Sequence, residues 1–188
     1  SPPLFFQIST MQTRHQDRSA YFEETATSCR NYYLPYIEQH TSLKFGRNCR
    51  VMEVGCGFGG ILSIFAAKGA TVTGIDIHKP SIETAKTLFA ERGLKGTFIC
   101  SDIFDYSDTR PYDLIILHDA LEHIPEKERL MLHLKSFLKA DGLLYLGFPA
   151  WQMPFGGHQQ MAKNRIIANC PYIHLLPRSL FRFVFRAC

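Results

Sequence analysis

The fold is decided by the stretch Val51-Met52-Glu53-Val54-Gly55-Cys56-Gly57-Phe58-Gly59-Gly60. An apolar run that ends in an acid breaks into a glycine-rich turn, and the apolar residues 61–67 then indicate a helix. Glycines turn the chain sharply and let a ligand approach the main chain, because they carry no side chain. A strand that leads through such a turn into a helix predicts a site that binds a cofactor along its backbone.

The glycine spacing alone does not choose the cofactor. Gly55, Gly57 and Gly60 match the dinucleotide pattern G-x-G-x-x-G, and Asp76 follows where a ribose-binding carboxylate belongs. Glu53 favours S-adenosylmethionine over NAD, because a carboxylate before the turn attracts an ammonium and a sulfonium and repels a pyrophosphate. Two unit charges about 4 Å apart are worth roughly 4 kcal/mol at an effective dielectric of about 20. We therefore expect S-adenosylmethionine, and NAD remains the alternative.

Four stretches, in this order, resemble the class I S-adenosylmethionine-dependent methyltransferases. They are E-x-G-x-G-x-G at 53–59, G-I-D at 74–76, C-S-D-I at 100–103 and D-L-I-I-L-H-D-A-L-E-H-I at 113–124. The resemblance covers residues 48–150 and implies a three-layer, Rossmann-like, doubly wound α/β sheet that is mostly parallel. The L-E-H-I stretch at 121–124 is loosely similar to the branches of the family that methylate quinones and other small molecules.

The resemblance also implies how the cofactor is held. Asp76 would accept both ribose hydroxyls, although a structural cap at the strand end is the alternative, and Ile77 would pack on the adenine. Asp102 would accept a hydrogen bond from the adenine amino group, and the N–H of Ile103 would donate to a ring nitrogen. The backbone carbonyl of His118 would contact the methionine portion. The expected cofactor-binding residues are Glu53, Gly55, Cys56, Gly57, Gly59, Asp76, Ile77, Asp102, Ile103 and His118.

Catalysis needs little acid–base chemistry if the acceptor is already a nucleophile. Methyl transfer is an in-line displacement with a neutral leaving group, so holding the reactants in line supplies most of the acceleration. A general base matters only when the acceptor must lose a proton, and histidine suits that role near neutral pH. The candidates are His118, His123 and His158, with bracing of a loop as the alternative for His123. The histidine spacing supports no complete ligand set, so no metal is expected.

Residues 149–160 follow the fifth predicted strand and form the most distinctive loop. Two adjacent glycines give it hinge freedom, and three large apolar side chains offer a wall. We expect a lid over the acceptor site with His158 facing the acceptor, and a solvent loop is the alternative.

Strand-like and helix-like patterns alternate after Gly46. We expect strands at 49–54, 71–75, 96–100, 113–118 and 143–148, and helices at 59–68, 80–92 and 126–139. Near-continuous apolar strands predict a parallel sheet covered by helices on both faces, with ligands at the carboxyl ends of the strands. Residues 151–188 do not clearly offer the final antiparallel hairpin that the resemblance implies, so we expect the C-terminal part of the sheet to be incomplete.

The expected organisation is a single domain over residues 1–188. Residues 1–47 would form a helical N-terminal cap, with one or two helices broken near Pro35 and with Tyr21 or Tyr33 closing on the ligand or packing on the sheet edge. Residues 48–150 would form the cofactor-binding core, and 151–188 the lid and a basic tail.

The net charge of +4 is unevenly placed, because residues 151–188 carry five Lys or Arg and no Asp or Glu. The neutral remainder indicates no nucleic-acid partner. Arg178, Arg182 and Arg186 share one stripe of a predicted helix, which would pack on its own domain or touch a membrane surface. The six cysteines form no C-x-x-C pair, and no apolar run reaches 18 residues or resembles a signal peptide. A cytoplasmic enzyme with reduced thiols is expected.

The leading hypothesis is methyl transfer from S-adenosylmethionine to a small-molecule acceptor. An NAD-dependent oxidoreductase and a non-catalytic binding module with a nucleotide fold are the alternatives. The residues leave the acceptor, the methylated atom and the oligomeric state open.

Overall fold

The structure is a computed structural model that describes residues 17–148, 154 and 169–177. The chain divides into two compact units, Arg14–Phe148 and Ser1–Thr13 with Pro149–Cys188, and each is described by itself. The single-domain organisation therefore stays a prediction. His158, the remainder of the expected lid apart from Pro154, and the three arginines of the expected tail helix lie outside the described residues.

Five parallel strands form one sheet in the described part of the larger unit. They are β1 (Arg50–Val54), β2 (Thr71–Asp76), β3 (Thr97–Cys100), β4 (Tyr112–His118) and β5 (Leu138–Gly147), in the spatial order β3-β2-β1-β4-β5. The chain moves outward from β1 to β3 and then returns to place β4 on the other side of β1. This reversal puts the carboxyl ends of β1 and β4 side by side at the switch point, where ligands bind in such sheets. The predicted Rossmann-like sheet is confirmed.

The helices cover both faces of the sheet. They are α1 (Arg18–Ser28), a π-helical turn (Cys29–Tyr33), α2 (Leu34–His40), α3 (Gly60–Ala67), α4 (Lys79–Glu91) and α5 (Lys127–Phe137), with 3-10 turns at Ile103–Asp105 and Leu121–His123. One apolar core gathers α1, α3 and α4 on one face, and a second gathers α5 on the other. Val51 and Met52 belong to different cores and both are fully buried, which is why β1 reads as a continuous apolar run.

The predicted boundary between the last helix and the last strand is wrong. α5 ends at Phe137, and β5 begins at Leu138 instead of 143. Tyr112 pairs with Leu138 while Leu114 pairs with Leu143, so an irregularity in the pairing accommodates residues 139–142 within the strand. A Cβ at Gly142 would lie 2.9 Å from the carbonyl oxygen of Tyr112, so this close approach requires glycine.

The N-terminal segment is one continuous helical run with a widened turn. Asp17 caps α1 by accepting the N–H groups of Ser19 and Ala20. The π-helical turn then precedes Pro35, which has no N–H to donate and disturbs the turn before it. The predicted break near Pro35 is therefore wrong: the helical run continues through Pro35, and only the helix type changes before it.

In the smaller unit the structure describes a 3-10 turn at Ile173–Leu175, and the Tyr172 N–H donates to the Pro154 carbonyl at 2.6 Å. Across the described part of the chain, no helix is both long enough and apolar enough to cross a bilayer.

Candidate active site

The glycine turn between β1 and α3 has a backbone that only glycine adopts without strain. Gly55, Gly57 and Gly59 have φ values of +73°, +51° and +82°. The N–H groups of Gly55 and Cys56 donate to the Ile75 carbonyl at 2.8 and 3.1 Å, which ties the turn to β2. The sequence therefore folds here into a rigid loop at the carboxyl edge of the sheet.

The glycines of this turn differ in what surrounds them. A Cβ at Gly55 would lie 2.6 Å from the Ala120 Cβ, and one at Gly59 would lie 2.9 Å from the Phe98 ring. A Cβ at Gly57 would meet no heavy atom of the described residues within 4 Å. Gly55 and Gly59 are thus explained by packing, whereas Gly57 borders open space that a ligand can occupy. The Cys56 side chain is buried, so a ligand would reach this residue through its backbone.

Asp76 holds the turn in place. Its Oδ2 accepts the Gly57 N–H at 2.9 Å, and its Oδ1 accepts the His78 N–H at 2.8 Å. This is the strand-end cap that the sequence analysis kept as the alternative. An ionised carboxylate offers about four acceptor positions, so capping leaves room for ribose hydroxyls.

Glu53 is the unusual group of the site. Its side chain lies on β1 with 3% exposure, and its Oε2 has no hydrogen-bond partner among the described residues. Burial, followed by the neighbouring Asp76 carboxylate, raises the pKa of Glu53 well above its usual value, while the Leu62 N–H opposes the shift. A buried acceptor without a partner is costly and indicates an interaction that a ligand completes. A cation suits this position, because it would also favour the ionised carboxylate.

Three further predicted residues follow β2 and β3. Ile77 comes directly after Asp76 and is 76% exposed, which is unusual for a large apolar side chain beside a polar turn. Asp102 accepts the Phe104 N–H at 2.9 Å and so begins the first 3-10 turn. The side chain of Ile103 is buried, and its carbonyl contacts Nε2 of His133 at 2.8 Å. Any cofactor contact of Ile103 would use its N–H, as the resemblance implies.

His118 ends β4 beside the glycine turn, since Val54 pairs with the preceding Leu117. Its Nε2 lies 2.8 Å from the Tyr33 Oη, and its Nδ1 lies 3.3 Å from the Asp119 Oδ2. Sequence reasoning did not join these three residues, because Tyr33 is far away in the chain and no periodicity links it to His118. An acid directly after a strand at the switch point was the available signal for Asp119.

His123 lies in the second 3-10 turn, with its side chain 73% exposed and its Nε2 3.9 Å from the Glu122 Oε1. The structure does not bring it into the Tyr33–His118 contact. Of the three histidine candidates, His118 therefore has the most defined surroundings among the described residues.

These features fit an adenosyl cofactor that carries a cation and no phosphate. The turn exposes backbone at Gly57, the orphaned Glu53 oxygen needs a positive partner, and Ile77 offers an apolar face. A family model described as a methyltransferase domain matches residues 45–182. The chain belongs to this family. The family is that of the class I S-adenosylmethionine-dependent methyltransferases, so the oxidoreductase alternative is set aside.

Relatives of this methyltransferase domain include two curated proteins named ubiquinone biosynthesis O-methyltransferase. The protein of Coxiella burnetii is 38% identical over 114 residues, which cover 60% of this chain and 47% of that protein. The protein of Actinobacillus pleuropneumoniae is 37% identical over 119 residues, which cover 60% of this chain and 50% of that protein. The chain thus spans about half the length of the curated relatives it matches.

Solved structures share the fold of this methyltransferase domain. An S-adenosylmethionine-dependent methyltransferase from Clostridium acetobutylicum has 20% identity and a TM-score of 0.55, over 66% of this chain and 49% of that one. Coclaurine N-methyltransferase, bound to N-methylheliamine and S-adenosylhomocysteine, has 24% identity and a TM-score of 0.54, over 61% of this chain and 34% of that one. At these identities the likeness establishes the fold.

Proposed function

We propose that the chain binds S-adenosylmethionine over the glycine turn and transfers its methyl group to a small-molecule acceptor by in-line displacement. The observation that carries this proposal is the hydrogen bond from the Gly57 N–H to Asp76, which fixes an open backbone beside the orphaned oxygen of Glu53. Methyltransferase family membership supports the reaction class.

The chain's residues would hold the cofactor by complementary chemistry. Glu53, once ionised, would meet the positive charge of the methionine portion, and Asp76 would add ribose hydroxyls to the two N–H groups it already accepts. Ile77 would cover the adenine, with Asp102 and the Ile103 N–H at its edge. The bound cofactor supplies a methyl group on a sulfonium, which departs as a neutral thioether.

The relatives support a small molecule as the acceptor. Two are named for ubiquinone biosynthesis, and coclaurine N-methyltransferase was solved with N-methylheliamine. Where the acceptor must lose a proton, we propose that a proton is transferred to His118, directly or through Tyr33, and the contacts of His118 with Tyr33 and Asp119 support this choice over His123. A cytoplasmic location belongs to the proposal and is supported by the free thiols of Cys29, Cys49 and Cys56.

Calorimetry with S-adenosylhomocysteine and with NAD tests cofactor binding. The protein should bind the first and not the second. Gly57→Ala should weaken S-adenosylhomocysteine binding at least tenfold, because a methyl group enters the ligand space and the backbone is strained. Gly93→Ala is the matched control, since Gly93 has φ of +64° and equally open surroundings at the end of α4. Equal affinities of the two variants would contradict the proposed site.

Turnover separates an enzyme from a binding module. Transfer of a labelled methyl group to a panel of small phenols, amines and thiols should give at least one methylated product. A protein that binds S-adenosylhomocysteine but methylates nothing in the panel would support the non-catalytic alternative.

A further inference from the structure

Tyr33, His118 and Asp119 form a continuous chain of polar contacts beside the glycine turn. The Tyr33 Oη is 2.8 Å from His118 Nε2, and the centroids of the two rings are 4.8 Å apart, with an angle of 33° between the ring planes. On the other side of the imidazole, Nδ1 is 3.3 Å from the Asp119 Oδ2. Both ring nitrogens of His118 therefore have a defined neighbour.

The backbone around His118 is shaped to hold this arrangement. A Cβ at Gly147 would lie 2.5 Å from His118 Cδ2, so glycine on β5 makes room for the ring. Asp119 has φ of +51°, a left-handed conformation that costs energy for a non-glycine residue, and its N–H donates to the Gly147 carbonyl at 2.9 Å. This strain places the Asp119 carboxylate next to the imidazole instead of continuing the strand.

The contacts of Tyr33 and His118 define one arrangement of protons that suits proton transfer. Burial, followed by the neighbouring Tyr145 and Asp119, raises the pKa of Tyr33 to about 12, so the phenol stays protonated at neutral pH. In the tautomer with the proton on Nδ1, this N–H faces the Asp119 carboxylate and the Nε2 lone pair accepts the Tyr33 hydroxyl. In that tautomer Nε2 can take a proton on the side of Tyr33.

We propose that Tyr33, His118 and Asp119 act as a proton relay that activates a hydroxyl acceptor, with Tyr33 as the group that touches the acceptor. This inference rests on the proposed methyl transfer. Tyr33 is the catalytic residue, and His118 and Asp119 act through it as positioning residues. The acceptor class that follows is an alcohol or phenol whose oxygen still carries its proton at neutral pH.

In the proposed step, two protons move and one methyl group is transferred. The acceptor O–H bond breaks and its proton binds the Tyr33 oxygen, while the original Tyr33 proton moves to His118 Nε2. The freed electron pair of the acceptor oxygen forms the bond to the methyl carbon, and the electron pair of the methyl–sulfur bond stays on sulfur. The products are a methyl ether, a neutral thioether and an imidazolium beside Asp119. Because the Asp119 side chain is 51% exposed, the imidazolium can return its proton to water.

Tyr33 lies at the end of a π-helical turn and faces several polar groups. This helix type is found frequently at functional sites, and Tyr33 is only partly buried. The titratable and polar groups facing it are His118, Asp119, Tyr145, whose ring centroid is 5.7 Å away, Cys29 and the hydroxyl of Ser28. None of these is a cation.

The test uses the 188-residue chain, two phenols and three variants. Tyr33→Phe removes the hydroxyl, and Tyr32→Phe, at a position 69% exposed, is its matched control. Asp119→Asn keeps the left-handed backbone, which asparagine tolerates, and removes the charge. All three should bind S-adenosylhomocysteine within twofold of the unchanged protein, so a loss of binding would point to failure of the cofactor site instead of the relay.

Rates on catechol and on ionised 4-nitrocatechol distinguish proton removal from simple packing. Tyr33→Phe and Asp119→Asn should lower kcat for catechol about a hundredfold, with little change in KM, because general-base catalysis supplies about 10² or more. Both variants should stay within threefold on 4-nitrocatechol, which has already lost its proton, and Tyr32→Phe should match the unchanged protein on both. Equal losses on the two phenols, or a protein that binds S-adenosylhomocysteine yet methylates neither phenol, would overturn the proposal.

Nitrogen-15 NMR of the His118 ring provides a readout that needs no acceptor. The unchanged protein should show Nδ1 protonated and Nε2 unprotonated, and Asp119→Asn should shift the population towards the Nε2–H tautomer. Finding the Nε2–H tautomer in the unchanged protein would contradict the proton positions on which the relay depends.

Discussion

The acidic side chains at the two ends of the central strands differ in whether their oxygens have hydrogen-bond partners. At the amino end, Asp108 Oδ2 accepts Arg50 Nη2 at 2.8 Å and the hydroxyls of Tyr112 and Tyr106 at 2.9 and 3.2 Å. At the carboxyl end, Glu53 is buried with an oxygen that has no partner among the described residues. The Arg50 Nε also lacks a partner, but the rest of that guanidinium is ion-paired and lies over the Tyr112 ring at 4.2 Å.

The pKa shifts of the two acids follow from this difference. Burial raises the pKa of Asp108, but the Arg110 N–H, Arg50 and Tyr112 outweigh it and hold the pKa well below its usual value. Burial and Asp76 raise the pKa of Glu53. A satisfied acid stabilises the fold, whereas a buried acid without a partner costs stability. The proposed function assigns a structural role to the amino end and ligand binding to the carboxyl end.

Removing the satisfied acid should have the largest effect. Asp108→Ala leaves Arg50 without its ion-pair partner, in a pair whose side chains are only 14% and 16% exposed. The free energy of unfolding should fall by about 3 kcal/mol, the lower end for breaking a buried pair. Chemical denaturation measures this loss, and S-adenosylhomocysteine affinity in the folded protein should stay within twofold. A large loss of affinity with unchanged stability would reverse the assignment of the two ends.

Gly60→Ala should destabilise the junction between the N-terminal helices and the glycine turn. A Cβ there would lie 2.0 Å from Thr25 Oγ1 and 2.4 Å from the Phe22 carbonyl oxygen, so α1 must shift away from α3. Overpacking of this kind costs about 2 kcal/mol. Thermal unfolding should show the loss, and Gly46→Ala, where a Cβ meets nothing within 4 Å of the described residues, is the control. An unchanged melting temperature would show that α1 does not pack on this glycine.

Glu53→Gln should separate binding from stability. The amide keeps the shape of the side chain but cannot ionise, so S-adenosylhomocysteine affinity should fall about tenfold to a hundredfold, the worth of a hydrogen bond to a charged group. The free energy of unfolding should not fall, because burial and Asp76 already disfavour the ionised form of Glu53 in the ligand-free protein. Calorimetry and denaturation of the same preparation measure both quantities. A destabilised variant with normal affinity would assign Glu53 to the fold.

The two acids should change the pH dependence of the free energy of unfolding in opposite directions. Because Glu53 binds its proton more tightly when folded, the unfolded chain ionises first, and stability should fall as pH rises above about 4.3 towards the folded pKa. Asp108 stabilises above its unfolded pKa of about 3.9, and that stability is lost as pH falls further. Chemical denaturation at a series of pH values measures the free energy of unfolding of the unchanged protein and of Glu53→Gln. The fall in stability above about pH 4.3 should occur only in the unchanged protein. The same slope in both would show that Glu53 is not its source.

The sequence predicted the elements best where burial is two-sided. Leu114 to Leu117 are an unbroken apolar run because both faces of β4 are covered, and that run marks the strand directly. The start of β5 was predicted too late in the chain. Its first pairing, Tyr112 with Leu138, is followed by an irregularity in the strand pairing, and Gly142 within that irregularity locally favours a turn.

The sequence predicted which residues of the site lie in the glycine turn and at the strand ends. It predicted much less well how buried these residues are and which side chains they contact. The turn at Gly57 and the carboxylate at Asp76 follow from spacing, and the structure joins them by a hydrogen bond. The raised pKa of Glu53 arises from burial that only the packed helices create. The contact between Tyr33 and His118 likewise exists only after the N-terminal helices pack over the sheet.

Proton release on ligand binding tests the central claim most directly. The pKa of Glu53 is raised in the ligand-free protein. If the ammonium of the ligand favours the ionised carboxylate, then S-adenosylhomocysteine binding should release protons, and the calorimetric enthalpy should depend on the ionisation enthalpy of the buffer. We expect this release in the unchanged protein and its loss in Glu53→Gln. Binding of S-adenosylhomocysteine with the same enthalpy in every buffer, or tight binding of NAD in its place, would contradict the account.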